Sequence, residues 1–171
     1  MRERLMHVSV LVLLLAMAVP VAAERLPELD ELPEIPLIHD FREAGREAAA
    51  RDLPLLVIFS AGHCRWCHIA EDEFLRPMLY SGAYDDRVLM RKVDMEGGPV
   101  IGFDGQRGEA REVARTLGAR LTPSVLMFDH HGQRLAPPLI GITVVDYYGG
   151  QLDAIIEAAE AALAPAPLGD G

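Results

Sequence analysis

The sequence predicts an α/β sandwich, with helices on both faces of a mixed central sheet. Two continuous apolar runs of strand length, "LPLLVIFS" at 53–60 and "VLMRKVD" at 88–94, have the composition of strands covered on both sides. Two later segments, "SVLMFD" from Ser124 and "RLAPPLIGI" from Arg134, flank "HHGQ", the short turn of an antiparallel hairpin. Apolar stripes of helical period stand before, between and after these runs, which completes the layered pattern.

Taken in order, residues 1–23 begin with Arg2 and Arg4, continue through an apolar run from Val8 and end in small residues at Ala22 and Ala23. That is the pattern of a secretory signal peptide cleaved before Glu24. Its apolar run of about 15 residues, broken by Pro20, is short for the ~20 that a spanning helix needs, although retention as an anchor is the alternative. Residues 24–38, "ERLPELDELPEIP" and its continuation, are acidic and proline-containing and read as an extended leader.

A domain at 39–163 follows. Residues 39–52 carry Phe41, Ala44, Ala48 and Ala49 near helical spacing, with Asp40 as N-cap. After the 53–60 strand, Ile69, Ala70, Phe74 and Met78 predict a helix broken at Pro77. Residues 97–108 read as a glycine-rich loop, and 109–117 as a helix ended by Gly118. Pro137 and Pro138 make the last strand an edge or only partly paired. Leu152, Ile155, Ile156, Ala159 and Leu163 form the stripe of a closing helix, preceded by a turn at 143–148, and 164–171 is expected to be a disordered tail.

The formal net charge of −10 makes nucleic acid and anionic lipid poor partners. No further run is long and apolar enough to span a membrane, so stable insertion after cleavage is not expected.

Both cysteines fall within "HCRWCH" at 63–68. Export favours a persistent disulfide. A bridge between Cys64 and Cys67 closes almost no loop, so its contribution to stability is small and its reactivity is the better reason for it. At the first turn of a helix, Cys64 meets unpaired N–H groups and the positive end of the dipole, which lower a thiol pKa. Arg65 and His68 add positive charge, with His63 a lesser contributor. Cys67, three residues on and nearer the apolar stripe, is expected to be the more buried, resolving thiol.

Strand, Cys-x-x-Cys, helix, and "LTPSVLMF" further along resemble the thioredoxin-like superfamily, over 39–163. The resemblance implies a three-layer thioredoxin-like sandwich, a redox-active disulfide with no bound cofactor, and a cis proline at Pro123 facing the dithiol. Thr122 would then pair with the backbone of an extended substrate, and Trp66 would lie exposed as a contact surface. Many members carry a buried acid six residues ahead of the first cysteine, where this chain has Ile58. Glu71, one turn past Cys67, is the candidate proton acceptor in its place, though a glutamate on a helix surface is usually solvated. The Arg65-Trp66 pair differs from the central pairs of the familiar members, so neither redox direction carries over.

The expected function is that of an exported, periplasmic thiol-disulfide oxidoreductase on the reducing side. It would act on cysteine-containing exported proteins and be regenerated by a membrane thiol electron donor. Two alternatives stay open. One is a copper(I)-binding module using Cys64 and Cys67 with His63 or His68. The other is c-type haem attachment through "CRWCH", for which Met78, Met90, Met95 and Met127 are the axial candidates.

Overall fold

The computed structural model describes residues 27–164. The expected signal peptide, the first residues of the leader and all but the first residue of the tail lie outside them.

Helix α1 (Phe41–Arg51) starts where Asp40 accepts a hydrogen bond from the Arg42 N–H at 2.8 Å, and it stops at Asp52 in the left-handed region. Strand β1 (Leu55–Ser60) is buried along its whole length. It pairs in parallel with β2 (Leu89–Asp94) and antiparallel with β5 (Ser124–Phe128), which in turn pairs with β6 (Leu139–Ile140). The sheet order is thus β2-β1-β5-β6. Alternation along β1 divides the apolar residues between two cores. Leu55, Val57 and Phe59 face α1 and α4 (Ala110–Leu117), whereas Leu56 and Ile58 face the dithiol helix and α5 (Val145–Leu163). This is the three-layer thioredoxin-like sandwich with a mixed central sheet.

Several local expectations are corrected. The 97–108 segment is a second sheet, the hairpin of β3 (Pro99–Ile101) and β4 (Arg107–Glu109). The last strand shrinks to two residues because Pro137 and Pro138 have no N–H to donate to a ladder. Pro77 does not break its helix. It sits in the first turn of α3 (Arg76–Ser81), where a missing N–H costs little, and the helix ends at Gly82, whose φ of 68° only glycine adopts readily. The closing helix begins at Val145 and runs through Gly149 and Gly150. Burial of Tyr148 and its edge contact with Phe74, at 5.1 Å between ring centroids, outweigh the poor helix propensity of the two glycines.

The leader is extended, as its prolines require, but it is packed. Ile38 donates its N–H to the Lys92 carbonyl and Lys92 donates to that of Pro36, so the segment flanks the outer edge of β2. Leu32, Ile35 and Ile38 are buried. The guanidinium of Arg76 reaches the carbonyls of Leu29, Leu32 and Pro33 as well as Asp72 and Glu34, and clamps this strap to α3. No helix among the described residues is long and apolar enough to cross a membrane.

Candidate active site

Strand β1 delivers the site. Its last residue, Ser60, leads into a tight turn in which the Cys64 N–H donates to the Ala61 carbonyl at 3.1 Å. Cys64 is the N-cap of α2 (Arg65–Ala70), and its sulfur accepts the Cys67 N–H at 3.1 Å. The two sulfurs form a disulfide with Cα atoms 5.2 Å apart. Cys64 is half-buried and Cys67 is fully buried, so an incoming partner can reach only the first sulfur.

The side chains between and beside the cysteines divide by exposure. Trp66 is 46% exposed, and the Arg65 guanidinium lies over its ring, 5.9 Å from the centroid. His68 does not turn to the sulfur: its Nε2 hydrogen-bonds the Gly62 carbonyl at 3.2 Å, which ties the helix to the loop before Cys64. The His63 side chain is fully exposed, 3.9 Å from Glu96. Among the described residues, no group of three His, Cys, Asp or Glu side chains is placed to hold a metal ion.

Glu71 departs most from its expectation as a solvated helix residue: it is only 6% exposed. The helix changes pitch there. A π-helical turn, Glu71–Leu75, follows α2, and the Arg76 N–H reaches back five residues to the Glu71 carbonyl. Ser60 donates its hydroxyl proton to Glu71 Oε1, and Lys92 donates from Nζ to Oε2 at 2.5 Å. Glu71 also donates its own N–H to the Cys67 carbonyl, one turn back toward the dithiol. The carboxylate is therefore held on the helix one turn past the buried cysteine, with a hydroxyl on one oxygen and an ammonium on the other.

Ser60 and Lys92 were not among the sequence-predicted site residues. One signal was there: Lys92 is the chain's single lysine and stands in an apolar strand. It is the register partner of Ile58, the position where relatives place their acid. A charge inside such a strand needs an opposite charge nearby.

The second expected element approaches from β5. Ser124 pairs with Phe59, so the preceding loop lies at the same end of the sheet as the dithiol. The Thr122–Pro123 peptide bond is cis; Thr122 is half-buried and Pro123 buried. The Gly141 N–H donates to the Pro123 carbonyl at 2.7 Å, closing that end of the sheet onto β6.

A family model described as a thioredoxin-like domain matches residues 41–148. Solved structures share the fold at low identity. An oxidised mitochondrial thioredoxin 3 from Saccharomyces cerevisiae is 18% identical, covering 72% of this chain and 93% of its own, with a TM-score of 0.50. A poplar thioredoxin h is 17% identical over 73% of this chain and 98% of its own, with a TM-score of 0.53. The germline-specific thioredoxin Deadhead of Drosophila melanogaster is 12% identical over 71% and 99%, with a TM-score of 0.51. No curated protein sequence matches the chain. The match over most of the domain, with a Cys-x-x-Cys disulfide at the end of the first sheet strand, means that the chain belongs to the thioredoxin-like family and is a thiol-disulfide oxidoreductase.

Proposed function

We propose that the chain reduces disulfides in exported, cysteine-containing proteins, using the Cys64/Cys67 pair and no bound cofactor. The observation that carries this reading is the unequal exposure of two sulfurs joined in one disulfide. In the reduced protein, the Cys64 thiolate attacks a partner disulfide, forming a mixed disulfide and releasing one partner thiolate, which takes up a proton. The Cys67 thiol then passes its proton to Glu71, and the Cys67 sulfur attacks Cys64. This forms the internal disulfide, breaks the mixed one, and releases the second partner cysteine, which takes up a proton in turn.

Glu71 fits the acceptor role as the buried carboxylate one turn past Cys67, with Ser60 and Lys92 each fixing one of its oxygens. Trp66, Thr122 and Pro123 frame the approach of the partner, Arg65 brings positive charge, and His68 orders the turn that holds Cys64. Both cysteines of the chain sit in the site, so two electrons and two protons must come from outside. A membrane thiol donor on the periplasmic side is the proposed source, in keeping with the signal-peptide pattern of 1–23.

The test is trapping. Cys67→Ser should accumulate a mixed disulfide with its partner through Cys64, and Cys64→Ser should trap nothing; a Cys67→Ser protein that traps no partner would refute the reading. The potential against glutathione fixes direction: about −270 mV supports a reductant and about −120 mV an oxidant.

A further inference from the structure

We infer that the segment captured by Cys64 is extended and acidic beside its cysteine, drawn in by two arginines that flank the dithiol. The inference rests on the exchange reading above and adds the chemistry of the partner.

The chain is acidic overall, and about half of its described cations pair with its own carboxylates. Arg42 pairs with Asp40, Arg76 with Asp72 and Glu34, Arg87 with Glu160, Arg91 with Glu47 and Lys92 with Glu71. Arg65 and Arg120 are two of those that do not, and they stand at the dithiol end of the sheet. Both are exposed, and neither has a carboxylate partner among the described residues. Arg65 lies between the two cysteines, and Arg120 stands on the loop that leads through Thr122 and Pro123 into β5, at the same end of the sheet.

Glu96, beside His63, is shared between His63 and Arg111, which offsets much of its repulsion. Glu73 is exposed on the dithiol helix but lies beyond the buried turn at Glu71. Apolar side chains are exposed beside both arginines and on β6: Trp66 next to Arg65, Leu121 next to Arg120, and Ile140 are respectively 46%, 66% and 40% exposed. Fixed positive charge beside an apolar strip fits a polypeptide that presents carboxylates next to an apolar residue, and it raises the encounter rate of that peptide over a basic one.

The experiment uses the reduced full-length protein and two disulfide-linked peptides identical except for the residues beside cysteine, glutamate in one and arginine in the other. The single tryptophan, Trp66, reports oxidation of the adjacent dithiol by its emission. At low ionic strength the acidic peptide should react on the order of five-fold faster, with the ratio falling toward one in about 0.5 M salt. Arg120→Glu should invert the ratio, a comparison in which any change in the intrinsic reactivity of Cys64 cancels. Equal rates in the unaltered protein, or a ratio that Arg120→Glu leaves in place, overturns the inference while leaving dithiol exchange intact. Absence of reaction with both peptides removes the exchange reading and this inference with it.

Discussion

Helix α1 and the helix that begins at Arg65 pack on opposite faces of the same sheet and are built by different rules. In α1 a side-chain carboxylate caps the first turn, the inward face is Phe41, Ala44 and Ala48, and the charges point outward. In the dithiol helix a reactive sulfur is the cap, the pitch changes midway, and two opposite charges, Glu71 and Arg76, are turned inward. The five residues from Glu71 to Leu75 span one π-helical turn. A regular helix needs only its apolar stripe to be placed, whereas this one needs particular partners from other elements: Ser60 and Lys92 for the acid, the leader and Asp72 for the base.

Each variant below breaks or sharpens that contrast. Arg76→Leu should have the largest effect, because three carbonyls of the strap and two carboxylates lose their partner together. A loss of about 3 kcal/mol in urea unfolding is expected, with the rate of first attack by Cys64 little changed. Glu71→Gln should slow release from the mixed disulfide about a hundred-fold at neutral pH, measured by rapid mixing. An unaltered release rate would return Glu71 to a structural role.

Lys92→Met tests the acid through its partner. Without the ammonium one oxygen of the buried Glu71 carboxylate loses its donor, so release from the mixed disulfide should slow about ten-fold in rapid mixing. Lys92→Arg should largely restore the rate. The smallest effect belongs to the regular helix: Asp40→Ala should cost about 1 kcal/mol in thermal or urea unfolding. Hydrogen bonding to Arg42 holds the Asp40 carboxyl below its ordinary value. The native state therefore binds this proton less readily than the unfolded chain. The benefit of Asp40 is present above the unfolded-state pKa and fades as pH falls through the lower folded-state value, so Asp40→Ala and the unaltered protein should converge in strong acid.

The same contrast explains what could be read from the sequence. Strands β1 and β2 were legible because cover on both faces leaves a continuous apolar run, and the dithiol because two cysteines at that spacing have few other uses. The π-turn was not. It changes no residue type, and its inward acid is favoured only by groups distant in sequence, one of them on another strand. The leader showed no period because its bridge to β2 involves a single residue, with prolines between the buried ones. Gly149 and Gly150 hid the start of α5, since tertiary burial of Tyr148 cannot be seen in local propensity.

Lys92 plays two parts that do not depend on each other. Its backbone N–H and C=O both bond the strap, at Pro36 and Ile38, bonds that any residue other than proline can make, while its ammonium alone speaks to Glu71. Architecture and chemistry thus meet at one position yet vary separately. Exchanging that side chain changes what holds the buried acid and leaves the strap joined to the sheet.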